Sequence, residues 1–267
     1  MRRGLGRCCP GLGKTLATPR IYLTGSVTIE HVERLVRERD FPGRLGRMAF
    51  VYLALHRHRT VHRDEMLTAL WPDDRDDGGL DPILSKIRGV LKTAGFTPGD
   101  TGIDAGGGTI TLRLPSDTWV DTEAAANALD LAEGALRRHD TSAAWGMANI
   151  AVVITRRPLL PTAEAPWIES QRSVLRAMQL RGLQCLVTVR ASNGEPLLAI
   201  QHAAEMVQLE PFRETAYQLL MRMHAAAGDR AEALRVYARC RELLREELGV
   251  SPSPQTEAVY LEILRAE

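Results

Sequence analysis

The sequence has no long apolar run, few cysteines, hardly any lysine and almost no net charge. In 267 residues the longest apolar stretch lies around Ala49 to Leu55. A bilayer-spanning helix takes about 20 apolar residues, so no membrane association is expected. The first residues are basic but hold no apolar segment of signal-peptide length. Residues 1–19 are expected to form a disordered basic leader. Cys8, Cys9, Cys185 and Cys240 make no C-x-x-C pair and no Cys/His cluster with zinc spacing. A reducing, cytoplasmic setting follows as the expectation.

Catalytic signatures are missing as well. No G-x-S-x-G, H-E-x-x-H, G-x-G-x-x-G or Ser-His-Asp arrangement occurs. Gly11 to Thr15 imitates the end of a phosphate loop, but Cys8 stands where that pattern needs glycine. Asp73 to Gly78 imitates a calcium loop, yet Arg75 and Leu84 occupy two ligand positions. His56, His58 and His62 lie close together without a residue to complete a four-ligand set. The expectation is therefore no enzyme, no metal and no cofactor.

The near-neutral balance conceals a gradient. The chain carries 34 basic and 33 acidic side chains. Residues 1–115 hold 18 basic against 13 acidic, a net of +5, and residues 116–267 hold 16 against 20, a net of −4. Such asymmetry points to a polyanion as partner of the first half.

Two textures match the two charges. Ile21, Leu23, Val27 and Ile29 read as short strands around Gly25. A first helix over 44–55 places Leu45, Met48, Ala49, Tyr52 and Leu53 on one face. A second starts at Asp64 and ends at Trp71-Pro72, and Asp81-Pro82 reads as the start of a third, reaching about Ala94. Gly106-Gly107-Gly108 then turns a hairpin whose second strand alternates Ile110, Leu112 and Leu114 with Thr111 and Arg113. Three helices followed by a hairpin is the winged-helix order.

From Asp121 onward every segment reads as helix. Gly194 and Gly228 are 34 residues apart, and at that offset Glu195 matches Asp229, Ala199 matches Ala233 and Ile200 matches Leu234. This is the tetratricopeptide (TPR) period. The fold class expected is mainly α with a small β component. It consists of a winged helix-turn-helix domain over 20–115 and an all-α TPR-like domain over 116–267.

The third helix is the informative element. Ile83, Leu84, Ile87, Val90, Leu91 and Ala94 fall within about 120° of arc. The opposite face carries Ser85, Lys86, Gly89, Lys92 and Thr93, with Arg88 on its flank. Lys86 and Lys92 are two of only three lysines, Lys14 being the third. One packed face and one small-plus-basic face suit a helix that enters the major groove of DNA.

The most specific stretch runs from Pro211 to Ile263: PFRETAYQLL, then GDRAEALRVY, then ELGVSPSP. With FPGRLGR, ALW and LSKIRGVL in the first half and Trp167-Ile168 with Arg172 in the second, it resembles the Streptomyces antibiotic regulatory protein (SARP) family. Members combine an OmpR/PhoB-type winged helix with a bacterial transcriptional activator domain. The resemblance implies a sequence-specific activator that binds promoter repeats as double-stranded DNA, as a homodimer at least on DNA, and recruits RNA polymerase holoenzyme at the nucleoid. It implies DNA contacts from Ser85, Lys86 and Arg88 on the third helix and from Arg44 and Arg47 near the first; Gly89, Lys92 and Thr93 on the same face, with Arg113 of the wing, complete the expected DNA-contacting set. Asp73, Asp74, Asp76 and Asp77, in the loop before the third helix, fall where the polymerase contact would lie. The chain departs from the pattern at Gly89, where a third basic residue is usual, and in a wing without tyrosine. A TPR-like adaptor working through protein contacts is the alternative reading, and a regulator answering a small-molecule effector bound between the C-terminal helices is a third.

Overall fold

A computed structural model describes residues 18–72, 77–96 and 101–266. The basic leader up to residue 17, its Gly11–Thr15 stretch, Cys8 and Cys9, and Asp73, Asp74 and Asp76 of the acidic loop lie outside the described residues. The chain divides into two compact units, Val27–Trp119 with the residues before Tyr22, and Val120–Glu267 with Tyr22–Ser26.

The first unit begins with strands β1 (Arg20–Tyr22), β2 (Thr28–His31) and β3 (Arg34–Val36), which with β7 (Trp119–Val120) form a sheet ordered β3-β2-β1-β7. Helices α1 (Gly43–Leu55), α2 (Arg63–Leu70) and α3 (Asp77–Thr93) follow. A second sheet, ordered β4-β6-β5, is made by β4 (Val61–His62), β5 (Gly102–Gly106) and β6 (Thr109–Arg113). Gly107 and Gly108 both have positive φ, 58° and 77°. That is the backbone a two-residue hairpin turn needs if its twist is to match its strands, and glycine adopts it without a Cβ penalty. Phe50 and Leu53 of α1, Met66 and Leu67 of α2, Leu84, Ile87 and Leu91 of α3, and Ile110 and Leu112 of β6 are fully buried and form the core.

One boundary differs from the sequence reading. The third helix begins at Asp77, not at Asp81, and Pro82 lies inside it. Proline fixes a helical φ and lacks only its own N–H, so one turn of helix can precede it. Asp81 is free of a capping role because its carboxylate takes two hydrogen bonds from Arg63, at 2.8 and 3.1 Å. Asp77, read from sequence as part of the acidic loop, is the first helical residue.

The second unit is helical: α4 (Asp121–Arg137), α5 (Thr141–Thr155), α6 (Pro166–Ser192), α7 (Pro196–Leu209), α8 (Glu214–Ala226), α9 (Arg230–Leu243) and α10 (Pro254–Arg265). Consecutive helices pack against one another around a main core, with a smaller cluster of Ala135, Ala144 and Val189 beside it. The 34-residue offset holds in space. Gly194 and Gly228 have φ of 74° and 82°, Ala199 and Ala233 are both fully buried, and Ala203 and Tyr237 both face the core. Asp229 caps α9 by accepting from the Glu232 amide at 3.1 Å, whereas Glu195 pairs instead with Arg190. A π-helical turn, Leu244–Leu248, then ends at Gly249 with φ 69°, and Ser253 caps α10.

Candidate nucleic-acid interface

The third helix presents the face expected of it. Leu84, Ile87, Leu91 and Ala94 are buried, and Ser85, Lys86, Arg88, Gly89, Lys92 and Thr93 are all exposed. Gly89 has nothing within 4 Å of where a Cβ would sit. The exposed side of the helix is thus low and open there, with cations at Lys86, Arg88 and Lys92 around it.

Three braces hold this helix. At its front, Arg63 of α2 grips Asp81 and lowers that carboxyl's pKa chiefly by hydrogen bonding. In the middle, Arg88 Nε donates to the Ile103 carbonyl of β5 at 3.0 Å. At its end, the β2–β3 hairpin supplies Arg34, within 3.4 Å of the Lys92 and Thr93 carbonyls, and His31, 3.2 Å from the Ala94 carbonyl. A cation at the carbonyl end of a helix complements its dipole. Sequence reading did not single out Arg34, His31 or Arg63. Their partners lie 18 to 63 residues away, so no local spacing marks them.

The other expected contact residues are less free. Arg113 is paired across the hairpin with Asp104 at 2.9 Å. Arg47 is half-buried and sits 3.2 Å from Glu38. Arg44 is exposed at the start of α1. Thr93 spends its hydroxyl on the Gly89 carbonyl at 3.1 Å. Lys86 and Lys92 are exposed, and among the described residues no hydrogen bond or ion pair engages their side chains.

A compact polar cluster joins α1 to α2. Tyr52 donates to Glu65 at 2.5 Å, and Arg59 embraces both oxygens of the same carboxylate. The Arg59 hydrogen bond holds Glu65 down at about 2, while burial, helped by Glu65, pushes Tyr52 up to about 12. His56 Nδ1 donates to the Tyr52 carbonyl, 2.8 Å away, and the imidazole packs on the Tyr52 ring. No group of three His, Cys, Asp or Glu suited to a metal occurs among the described residues. None of the described helices is long and apolar enough to cross a membrane.

A winged helix with a braced, cation-bearing third helix and a TPR-like helical array define a two-part chain. The family model of the bacterial transcriptional activator domain matches residues 120–264. The chain belongs to this family, with the winged-helix-plus-activator layout of SARP regulators. It is 29% identical over 217 residues to the regulatory protein AfsR of Streptomyces griseus, covering 80% of this chain and 22% of that one. To the transcriptional regulatory protein MoaR1 of Mycobacterium bovis it is 23% identical, over 82% of this chain and 71% of that protein. The chain thus spans about a fifth of the length of its AfsR relatives. The solved structure of Mycobacterium tuberculosis EmbR, determined with a low-affinity phosphopeptide, shares the fold at a TM-score of 0.82 and 21% identity, over 92% of this chain and 65% of that one.

Proposed function

We propose that this regulator is a sequence-specific DNA-binding activator that reads promoter repeats through α3 and its wing and recruits RNA polymerase. The carrying observation is the division of α3 into a buried face and an exposed face with three cations and an open glycine. Lys86, Lys92 and Arg44 supply phosphate attraction, and Ser85, Lys86, Arg88 and Gly89 face base edges. Arg113 reaches DNA only by exchanging Asp104 for phosphate. The acidic residues Asp73, Asp74, Asp76 and Asp77 are the proposed polymerase contact. Residues 20–115 act on DNA and 116–267 on protein partners, in a homodimer formed at least on DNA, in the cytoplasm at the nucleoid.

Selection of bound fragments from genomic DNA, followed by a salt titration on the recovered site, tests the reading. A single enriched motif whose affinity falls linearly in log salt supports it. Failure to enrich any fragment at moderate salt removes it and leaves the adaptor reading, in which the helical unit acts through protein contacts.

A further inference from the structure

The second unit is acidic as a whole, yet one recess in it is walled by arginine. Arg156 and Arg157 at the end of α5 and Arg172 and Arg176 on α6 line a cavity of about 260 Å³. Leu159, Leu175 and Leu209 contribute an apolar part to its lining.

The four arginines divide into two kinds. Arg172 is structural. Its Nε donates to the Leu159 carbonyl at 2.9 Å, and its Nη2 donates to Leu160 at 2.5 Å and Ala163 at 3.0 Å, with Glu169 on Nη1. It thereby shapes the connector through Leu160, a buried non-glycine residue at φ 44° that only such surroundings can hold. Arg156 is also committed, through two hydrogen bonds to Glu205 at 2.8 and 2.5 Å, and buried Gln179 supports that carboxylate at 3.0 Å.

Arg157 and Arg176 are different. Arg157 is exposed, and among the described residues no acidic group pairs with it. Its stem lies against Gly25, 3.5 Å from where a Cβ would be, which keeps it beside the recess. Arg176 has one acidic contact, Glu210 at 3.8 Å, with both side chains more than 40% exposed. Such a pair is worth little. A lining with one guanidinium unpaired among the described residues, a second held only by a long exposed pair, and three leucines has surplus positive charge and an apolar surface side by side. Guanidinium forks match the oxygens of a phosphate two at a time.

We propose that this recess binds a small phosphate monoester, with Arg157 and Arg176 closing on the dianion and the apolar body resting on Leu159, Leu175 and Leu209. The volume, about 260 Å³, lies just below the roughly 300–1,000 Å³ typical of small-molecule sites, which suits a phosphate on a body no larger than one ring. The recess belongs wholly to the helical unit, so this site stands or falls apart from DNA binding by α3.

The probe is phenyl phosphate, titrated calorimetrically into the full chain, with inorganic phosphate and phenol run beside it. Saturable one-to-one binding is expected, weaker for inorganic phosphate and absent for phenol. R157A/R176A is expected to weaken it by about tenfold or more, with R157K/R176K in between and an unchanged circular dichroism spectrum in both. Promoter binding without the probe stays at the wild-type level in these variants. No saturation in the millimolar range, or equal binding by the double alanine variant, overturns the site. So does random-sequence duplex DNA competing with the same arginine dependence, which makes the patch a nucleic-acid surface instead.

Discussion

Arg88 Nε donates to the carbonyl of Ile103 at 3.0 Å, so the helix proposed to read DNA is pinned to the first wing strand by one of its own reading residues. Lys86, two residues earlier, is exposed and makes no such bond among the described residues.

That difference separates two variants. K86E is expected to weaken promoter binding by about tenfold to a hundredfold, as loss of a groove contact does, at unchanged melting temperature. R88A is expected to weaken binding and also lower the melting temperature, because the Ile103 carbonyl loses its partner. Gel shift and thermal unfolding of the two proteins together check this. Wild-type affinity for K86E rules out a DNA contact at that position.

The Tyr52–Glu65–Arg59 cluster sets a pH dependence with a defined sign. Glu65 titrates near 4.5 when unfolded and near 2 when folded. Its contribution is therefore complete above about 4.5 and disappears as pH falls toward 2. Tyr52 moves the other way, from 10 up to about 12. Its contribution is complete below 10 and fades as pH rises through 12. Denaturant titrations should show E65Q less stable than wild type at pH 7, with the two converging in acid. Y52F should narrow the loss of stability between pH 10 and 12. Parallel curves for E65Q and wild type down to pH 2 contradict the assignment.

Asp121 is fully buried and accepts from the Leu23 amide at 2.9 Å, the Thr24 amide at 3.0 Å and the Thr24 hydroxyl at 2.7 Å. These tie Tyr22–Ser26 into the helical unit. D121A leaves two buried amides unpaired and is expected to cost about 3 kcal/mol or more in chemical denaturation. T24V removes only the hydroxyl bond and is expected to cost about 1 kcal/mol. Equal effects from both would mean the amides are satisfied elsewhere.

Gly182 lies in mid-α6, and a Cβ there would come within 2.7 Å of Val152 Cγ2 on α5. Helix propensity alone favours alanine by about 1 kcal/mol. The clash with a buried β-branched side chain outweighs it, so G182A is expected to destabilise by about 1–3 kcal/mol. V152A should relieve most of that cost in the double variant. A stabilised G182A would show that α5 and α6 can separate freely at this point.

Glu214 gives the last prediction. It accepts from the Ser253 amide and hydroxyl, each at 2.8 Å, and from the Thr256 hydroxyl at 2.5 Å, fastening the start of α10 to α8. Burial by itself raises its pKa, but these hydrogen bonds more than offset that and leave it lowered. E214Q is expected to speed amide exchange in α10 well ahead of α8. Unchanged α10 protection would mean that Val259 and Ile263 hold the helix by packing alone.

Much of this architecture is present in local pattern. The buried face of α3, the glycine turn of the wing and the Ser253 cap each depend on residues a few positions apart, and side-chain periodicity or turn chemistry encodes them directly; the 34-residue offset is legible as a repeat of the same pattern along the chain. The resemblance of Pro211–Ile263 to the activator domain adds a family to that pattern. The opening shortage of net charge, resolved into a basic first half and an acidic second, is also a property of sequence alone.

Tertiary structure decided which charges are available. Arg47, Arg88 and Arg113 look alike in sequence to Lys86, yet the fold places Glu38, the Ile103 carbonyl and Asp104 against them. Arg34 and His31 reach the end of α3 from a hairpin some sixty residues away. Arg157 and Arg176 become a pair only because a connector and a helix meet around one recess. A charge is counted by composition, but its partner is chosen by distances between segments far apart in the chain, and only the folded structure supplies those.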